Sequence, residues 1–269
     1  MAQKEGLLSR EKLRDLRSLD SVKIRRRKGL CMVEGERSLA EALRTRNLLY
    51  LVESDEVAAY GAPLKGELRS QEVPCYTLAH TQFNDLTDVK SGTGLLGVAR
   101  IPSPDDPQGL GAIPGRSALF YLDGIREPGN VGALIRTAWA LGLAGALLGE
   151  GTADPFSAKA VRASAGGVFH LPRYEGIGAR ELEDLLASGY SLYTADRGGQ
   201  DYRSVAYPER SILALGNEAR GFSSWVMDAG QAVGIPLAEG ADSLNVVVAG
   251  GIIAAQMMAA PGRGDTETR

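Results

Sequence analysis

The chain has 269 residues, is 44% hydrophobic and carries a formal net charge of −3, values typical of a globular protein of one large or two medium domains. No apolar run reaches the roughly 18 uninterrupted residues that a membrane span needs, and the charged N-terminus lacks the apolar segment of a signal peptide. The two cysteines, Cys31 and Cys75, favour a reduced, cytoplasmic protein over a disulfide framework or a metal site.

Basic charge is concentrated in the first 30 residues. They hold ten Lys and Arg against four Asp and Glu, a balance of +6, whereas the other 239 residues hold twenty against twenty-nine, or −9. The densest part contains Lys23, Arg25, Arg26, Arg27 and Lys28. Such a run is either the solvated face of a helix or a surface that contacts phosphates, and the second interpretation predicts strongly salt-dependent binding of nucleic acid.

A segment rich in Pro and Gly divides the chain. Residues 101–115, IPSPDDPQGLGAIPG, contain four Pro and three Gly without a periodic apolar pattern, which predicts a linker. It separates a front domain, residues 1–100, from a back domain, residues 116–260. We expect residues 261–269 to form a flexible tail.

Both predicted domains combine helices with strands. In the front domain, residues 38–47 are predicted to form a helix, and residues 48–54 and 73–79 to form strands, which indicates a small α/β domain. In the back domain, apolar strand-like runs alternate with helical segments, a pattern typical of a parallel sheet that is covered on both faces. The predicted strands there are 117–125, 144–150, 189–197, 211–218 and 232–237, and the predicted helices begin near Asn130, Pro155, Ala179, Ser223 and Ser243.

A polar segment rather than a glycine-rich loop follows the first strand of the back domain. It reads DGIREPGN, and neither a G-x-G-x-x-G pattern nor a P-loop occurs, so an enzyme that uses NAD or ATP is disfavoured. In the helix that follows, Asn130 stands where an N-cap is expected and Gly142 where a C-cap is expected. Arg136 is predicted at the edge of the buried stripe. On these residues alone, Asn130 could be only a cap and Arg136 only a surface residue.

Two further polar stretches follow predicted strands, where the ligands of open α/β sheets bind. In LALGNEARGF, residues 213–222, the strand ends in Gly216-Asn217-Glu218 and turns through Gly221. In GADSLNVVVAGGIIAAQ, residues 240–256, Asn245 lies within an apolar run. An amide buried there without a partner would cost about 1–3 kcal/mol, so we expect Asn245 to make polar contacts at a site.

Together the three stretches resemble the SpoU/TrmH branch of the SPOUT RNA methyltransferases. That family has an N-x-G-x(3)-R helix, a G-N-E-x-x-G turn and an I-P-x(6–8)-S-L-N-V helix. These motifs are matched in order by Asn130 to Arg136, Gly216 to Gly221, and Ile235 to Val246. Val33-Glu34-Gly35-Glu36-Arg37 is similar to a signature of the family's substrate-binding domain, so the resemblance covers nearly the whole chain.

The resemblance implies methyl transfer from S-adenosylmethionine to a ribose 2′-hydroxyl of RNA, without a metal. It also implies an α/β fold with a parallel-sheet SPOUT domain whose C-terminal segment forms a trefoil knot, an exception to the rule against knots. We expect glycine at positions 216 and 221 because a Cβ would block the approach of a ligand to the backbone. The cofactor contacts that the resemblance implies fall on Leu215, Gly216, Asn217, Gly221, Ile235, Leu237, Ser243 and Leu244.

The resemblance places Arg136, Asn130, Glu218, Ser243 and Asn245 in the catalytic site. Displacement on an activated methyl group requires that the hydroxyl is positioned, that its proton is removed and that water is excluded. By family analogy Arg136 activates the 2′-hydroxyl. Because a guanidinium stays protonated in proteins, we favour a role in orienting the nucleophile or a phosphate and in stabilising alkoxide charge.

The resemblance also implies partners. The last helix is apolar all round, which predicts burial on all sides, and the family forms homodimers through this region. The front domain resembles kink-turn-binding ribosomal proteins, so we expect it to bind structured RNA together with the basic cluster. We expect ribosomal RNA as substrate, with transfer RNA as the alternative. Resistance methyltransferases share the motifs, and a non-catalytic RNA-binding relative is disfavoured because all five catalytic positions match.

Overall fold

The structure, a computed structural model, describes residues 4–56, 62–87, 93–112 and 117–259. The chain forms two compact units. The first consists of Met1–Ser103, Val131–Arg136 and Asp154–His170, and the second of Pro104–Asn130, Thr137–Ala153 and Leu171–Arg269. No helix in the described ranges is long and apolar enough to cross a membrane.

The first unit is built on a mixed five-stranded sheet. Its strands are β1 (Lys4–Leu7), β2 (Leu30–Glu34), β3 (Leu48–Ser54), β4 (Cys75–Leu78) and β5 (Leu95–Arg100), in the order β1-β4-β3-β5-β2. Strands β1, β4 and β3 are parallel, and β5 runs antiparallel to both β3 and β2. The helices of the front segment are α1 (Arg10–Ser18), α2 (Val22–Lys28), α3 (Glu36–Arg44), α4 (Ala62–Ser70) and α5 (His80–Asn84).

The structure confirms the predicted helix α3 and strands β3 and β4, whereas β1, β2 and β5 were not predicted. Strands β2 and β5 are almost entirely buried, so their apolar residues do not alternate with polar ones. A short continuous apolar run cannot be distinguished from a buried helical segment by its period. These two strands were therefore missed even though their composition suits a sheet.

The segment Val33 to Arg37 joins β2 to α3. Val33 is buried, and the carboxylate of Glu34 pairs with the guanidinium of Arg162, which belongs to the same unit. Gly35 has a φ of +87°, a backbone conformation that residues with a Cβ rarely adopt. This stretch therefore turns the chain from the sheet into a helix and places a carboxylate at the turn.

The second unit contains a six-stranded sheet in which every neighbouring pair is parallel. Its strands are β6 (Ser117–Asp123), β7 (Gly145–Leu148), β8 (Arg173–Glu175), β9 (Ser191–Asp201), β10 (Arg210–Gly216) and β11 (Gln231–Gly234), in the order β11-β9-β10-β6-β7-β8. The five predicted strands of the back domain are thus confirmed. Only β8 was missed, and its three residues are too few to show a period.

Five helices belong to the C-terminal part of the chain. They are α6 (Pro128–Leu141), α7 (Ala158–Ala163), α8 (Ala179–Ala187), α9 (Ser224–Ala229) and α10 (Val246–Ala259). All five were predicted, and their observed starts differ from the predicted starts by at most three residues. As predicted, Gly142 ends α6 in the left-handed conformation, with a φ of +75°. The buried stripe of α6 also has the predicted spacing, with Val131, Leu134, Ile135 and Ala138 buried and Trp139 partly buried.

Part of the predicted linker is ordered structure of the second unit. Residues Pro107–Ala112 form a 3₁₀ helix, and Leu110 is fully buried in a core cluster with Leu119 and Ile212. Residues 113–116 and the predicted tail, 261–269, lie outside the described residues. The division of the chain into domains at a linker stays a prediction.

The chain folds closely upon itself where β9 meets β11. The pairing shifts from Ala232 opposite Thr194 to Val233 opposite Gln200, so residues 195–199 bulge out of the ladder. A Cβ on Gly199 would lie 2.4 Å from the backbone of Ala232 and Val233, and one on Gly234 would lie 2.7 Å from the carbonyl oxygen of Asp196. The two backbones approach so closely that glycine is required at both positions.

Candidate active site

The second unit carries a cleft next to the carboxyl ends of β9 and β10. Its volume is about 550 Å³, and an adjoining cavity of about 140 Å³ shares six of its lining residues. The turn after β10 and the segment that leads into α10 complete the walls. Ligands of open parallel sheets bind at this edge, and a volume of roughly 300–1,000 Å³ is typical of a site for a small organic molecule.

All eight predicted cofactor residues line these two cavities. Leu215, Gly216, Asn217 and Gly221 line the larger, Ile235 and Leu237 line the smaller, and Ser243 and Leu244 line both. The structure therefore brings together residues from three separate parts of the sequence. Their contacts with a cofactor stay a prediction.

Hydrogen bonds from Asn217 hold the turn that follows β10. Its backbone exchanges two hydrogen bonds with Gly221, its Oδ1 accepts from the N–H groups of Ala219 and Arg220, and its Nδ2 donates to the carbonyl of Gly124 at 2.8 Å. The side chain of Asn217 thus serves the turn itself. Glu218, at the tip of this turn, is exposed to solvent.

The structure gives the two glycines of this turn local reasons that the sequence analysis did not expect. A Cβ on Gly216 would lie 2.9 Å from the Phe222 ring and 3.0 Å from the backbone of Gly221, so the turn itself excludes it. Gly221 has a φ of +72° and open space beside it. Glycine is needed here for close packing within the turn and for the left-handed backbone, and its role in the approach of a ligand stays a prediction.

Asn130 is not the N-cap of α6, contrary to the prediction. The helix begins at Pro128, and Glu127 occupies the cap, where its Oε2 accepts from the Asn130 N–H at 2.7 Å. Proline favours the first helical position because it lacks an N–H, and the cap therefore lies three residues before the predicted one. The Asn130 side chain is consequently released from capping, and its Nδ2 donates to Glu218 Oε1 at 2.6 Å.

Asn245 is the residue that caps the last helix. The helix predicted to begin near Ser243 begins three residues later, at Val246. The Oδ1 of Asn245 accepts from the Val247 N–H at 2.8 Å and its carbonyl from the Ala249 N–H, the contacts of an N-cap. Asn245 is also exposed rather than buried in an apolar run, so its amide carries no burial cost.

Glu218, Asn130 and Asn245 form one polar chain. Asn245 Nδ2 donates to Asn130 Oδ1 over a long 3.5 Å contact, and Asn130 in turn donates to Glu218. The direction of each hydrogen bond follows from its partners. The Glu218 carboxylate can only accept, and the Asn245 oxygen already accepts from the Val247 N–H, so Asn245 donates through its Nδ2. Three of the five predicted catalytic side chains are therefore hydrogen-bonded to one another.

The other two predicted catalytic residues are exposed. Ser243 lines both cavities and Arg136 lies on α6, which also carries Asn130. Neither side chain has a hydrogen-bond partner among the residues that the structure describes. Both are thus free to contact a bound molecule, and their catalytic roles stay predictions.

The cleft includes residues that the sequence analysis did not assign. Asp196 and Arg197 line both cavities from the bulge in β9, and Phe222 lines the larger one. Asp196 Oδ1 accepts from the Gly198 N–H, and Arg197 Nη1 donates to the Asp242 carbonyl. A signal for Asp196 and Arg197 was present, since they end the predicted strand 189–197 at the edge where ligands bind.

Asp123 secures the carboxyl end of β6. Its Oδ2 accepts from the N–H and the hydroxyl of Ser223 at 2.7 and 2.9 Å, which ties β6 to the start of α9. Burial, and secondarily the charge of Asp123, raise the pKa of the nearby Tyr121 well above its ordinary value. Asp123 thus has a structural role, and Tyr121 stays protonated in the core.

The predicted RNA-binding cluster is divided between the surface and the core. Lys23, Arg26 and Arg27 are exposed, and their spacing places them on one face of α2. Lys28 pairs with Asp15 at 3.0 Å.

Arg25 does not belong to this surface, contrary to the prediction. It is only 4% exposed; its Nε and Nη2 donate to Asp154, and its Nη1 donates to the carbonyls of Leu19 and Asp20. A buried guanidinium with these partners cannot contact a phosphate while they are kept. The helical period explains the difference, because position 25 faces away from positions 23, 26 and 27.

The last helix is not buried on all sides within one chain. Gly250, Ile253, Ala254 and Met257 form one buried stripe at helical spacing. On the other side Val248 is 48% exposed, and Leu244, just before the helix, is 39% exposed. An apolar composition all round therefore leaves an uncovered apolar surface in the single chain.

The fold and the site together define a class: α/β proteins with a parallel sheet, a cleft at the carboxyl ends of the strands, and no dinucleotide-binding or phosphate-loop motif. The profile of the SpoU rRNA Methylase family matches residues 117–255, which include all six strands of this unit's sheet and the residues that line the cleft. The chain belongs to the SpoU rRNA Methylase family.

Named relatives and solved structures are similar over most of the chain. The 23S rRNA (guanosine(2553)-2'-O)-methyltransferase RlmP of Bacillus subtilis is 28% identical over 246 residues, which cover 90% of this chain and 94% of RlmP. The 23S rRNA (uridine(2479)-2'-O)-methyltransferase of Streptomyces viridochromogenes is 28% identical over 236 residues. The match covers 82% of this chain and 79% of that enzyme. The AdoMet-bound rRNA methyltransferase of Sinorhizobium meliloti superposes with a TM-score of 0.78 at 27% identity. The match covers 95% of this chain and 97% of that structure's chain.

Proposed function

We propose that the protein transfers a methyl group from S-adenosylmethionine to a ribose 2′-hydroxyl of ribosomal RNA. The observation that carries the proposal is the polar chain of Glu218, Asn130 and Asn245, which links the first family motif to the cleft that the second and third motifs line. The names of the two relatives support the ribose 2′-hydroxyl and ribosomal RNA, and the Sinorhizobium structure supports the methyl donor.

The cleft suits this donor. Apolar walls for the adenine base of the donor are offered by Leu215, Leu244, Ile235 and Leu237. Polar side chains of Asn217, Glu218 and Ser243 line the cavities beside them. The bound donor supplies an activated methyl group on a sulfonium. Since the electrophile is already activated, the protein's task is to position the hydroxyl and assist the loss of its proton.

The proposal is tested by mapping 2′-O-methyl groups in ribosomal and transfer RNA from a deletion strain and its parent. We expect one ribosomal position to be methylated only when the gene is present. Purified protein should restore this methylation in vitro. Loss of a transfer RNA methyl group would instead identify the alternative substrate. Identical maps, with no transfer in vitro, would leave a non-catalytic RNA-binding relative.

Replacing Arg136 with alanine is expected to abolish methyl transfer and leave donor affinity nearly unchanged. Its exposed guanidinium has no partner among the described residues, so it is available for the substrate rather than for the fold. Donor affinity by titration calorimetry and transfer to RNA in a single turnover separate the two effects. Retained turnover would remove Arg136 from the mechanism.

We propose that the front domain binds structured RNA through Lys23, Arg26 and Arg27. Reversing Arg26 and Arg27 to glutamate is expected to weaken RNA binding and to reduce the slope of log affinity against log salt by about 0.7–0.9 for each phosphate that the protein no longer neutralises. Fluorescence anisotropy at several salt concentrations measures the slope. Donor affinity should not change, and an equal reduction of both affinities would indicate misfolding instead.

We further propose that the C-terminal segment is threaded into a trefoil knot. The support is the close passage of β11 against the bulge of β9, where glycine is required at positions 199 and 234. A free chain end must pass such a loop during folding, so we expect slow refolding. Refolding as fast as that of an unknotted parallel sheet of similar size would count against the knot.

A homodimer that covers the exposed side of α10 is also proposed. Val248 and Leu244 leave apolar surface there, which a second copy would bury. Light scattering is expected to give twice the 28.5 kDa chain mass, and Val248→Glu should shift the population to monomer. Met227→Glu is the control, because Met227 is 58% exposed on α9. A single 28.5 kDa species at micromolar concentration would contradict the dimer.

We propose from the cysteine content that the protein acts in the cytoplasm. Cys31 and Cys75 are both buried, and a chain with only two cysteines suits the reducing cytoplasm. Fractionation of cells that express a tagged chain tests this, and recovery with the membranes or outside the cell would contradict it.

A further inference from the structure

The proton of the 2′-hydroxyl requires an acceptor that Arg136 cannot provide, because a guanidinium stays protonated. We propose that the carboxylate of Glu218 accepts this proton, so that Glu218 is the general base of the reaction. This inference rests on the proposed function and assigns the chemical role of one residue within it.

Glu218 is placed for this role by the turn and by Asn130. The turn that Asn217 secures presents the carboxylate at the rim of the larger cavity. Asn130 Nδ2 occupies Oε1 at 2.6 Å, and the described residues offer no partner for Oε2. One oxygen thus anchors the carboxylate while the other is free to accept a hydrogen bond from a hydroxyl.

The polar chain behind Glu218 keeps it oriented. Asn130 is held at its backbone by the cap hydrogen bond that it donates to Glu127, and at its side chain by the contact from Asn245. Asn245 is itself bound to the first turn of α10. The free oxygen of Glu218 is therefore directed by a network that ends in two helix starts, which limits its motion.

Asp196 is the other carboxylate that lines the cleft, and it is less suited. Its Oδ1 is bound to the Gly198 N–H, and it lines both cavities, as do the predicted cofactor residues Ser243 and Leu244. Glu218 lines the larger cavity only, beside Asn245. Asp196 is accordingly better placed to contact the donor than to accept a proton from the RNA.

The step balances without any further reactant. The hydroxyl oxygen forms a bond to the methyl carbon as the bond between that carbon and the sulfonium sulfur breaks, and its electron pair stays on sulfur. The hydroxyl proton passes to Glu218 Oε2. The products are the 2′-O-methyl ribose, a neutral thioether and a protonated carboxyl group, which then returns its proton to water.

The test uses the full-length protein, tritiated methyl donor and unmodified 23S ribosomal RNA made by transcription. Glu218→Gln is expected to lower the single-turnover rate by about 100-fold or more, while donor affinity by calorimetry does not change. Glu183→Gln, an exposed position on α8, is the matched control and should retain the wild-type rate. Glu218→Ala should regain part of its rate when formate is added, because formate can occupy the vacated space and accept the proton.

The outcomes separate this inference from the function on which it rests. If the wild type transfers no methyl group to the RNA, the proposed function fails and the inference with it. If the wild type is active and Glu218→Gln keeps more than about a tenth of the rate, Glu218 is not the base. Formate rescue of Asp196→Ala in place of Glu218→Ala would assign the role to Asp196 and overturn the proposal.

Discussion

Replacing Gly199 with alanine will lower the free energy of unfolding by about 3 kcal/mol, whereas the same change at the neighbouring Gly198 will alter it by less than about 0.5 kcal/mol. A Cβ at position 199 would lie 2.4 Å from backbone atoms of Ala232 and Val233, which cannot move without disturbing β11. At position 198 the nearest atom is a side-chain oxygen at 3.5 Å, an ordinary contact.

Denaturant unfolding followed by circular dichroism measures this difference, with the slope of the transition compared between the variants. The neighbouring substitutions are matched in chemistry and in their effect on the unfolded chain, so the difference isolates the close backbone passage. Equal midpoints for the two variants would show that β9 and β11 do not approach as closely as the structure describes. Gly234→Ala should resemble Gly199→Ala, because its Cβ would lie 2.7 Å from a carbonyl oxygen.

Replacing Arg25 with alanine will destabilise the protein by about 3–5 kcal/mol, the cost of leaving one partner of a buried ion pair alone. The Asp154 carboxylate is only 12% exposed and would lose both hydrogen bonds from the guanidinium, while the carbonyls of Leu19 and Asp20 would lose theirs. Arg26→Ala, one residue further along α2, removes an exposed side chain and should change stability by less than about 0.5 kcal/mol.

For RNA binding we expect the opposite ranking: the variant that hardly changes stability should change RNA affinity, and the destabilised variant should not. Arg26→Ala should weaken binding, whereas Arg25→Ala should leave the affinity of the folded fraction unchanged. The double variant Arg25→Ala with Asp154→Asn should be less destabilised than the two single variants added together, because the carboxylate left alone is then neutral. A stable Arg25→Ala variant with impaired RNA binding would return Arg25 to the RNA-binding surface.

Much of the fold of the second unit followed from local pattern. The five strands of the back domain and the helices between them repeat an alternation that few arrangements other than a parallel sheet can satisfy. Their order in the sheet, with β10 beside both β9 and β6, depends on pairings between residues far apart in the chain. Local sequence patterns do not predict such long-range pairings.

Helix starts were the least reliable part of the prediction, and they mattered for the site. Asn130 and Ser243 both resemble N-caps in composition, yet Glu127 and Asn245 take those positions. Local preference allows several cap residues within one turn, and tertiary packing selects among them. The consequence is chemical, because the release of Asn130 from capping allows it to bind Glu218.

The sequence by itself determined the parallel α/β class of the second unit. It also named the eight predicted cofactor residues that line the two cavities, but not Asp196, Arg197 or Phe222 beside them. Only the tertiary structure decided what those residues do to one another: that Asn217 and the two glycines hold a turn, that Asn245 caps a helix and contacts Asn130, and that Arg25 is buried in an ion pair. Residue type and spacing constrain chemistry and period, both of which are local. Hydrogen-bond partners and burial depend on segments more than a hundred residues apart, such as Asn130 with Asn245 and Arg25 with Asp154, which meet only when the chain folds.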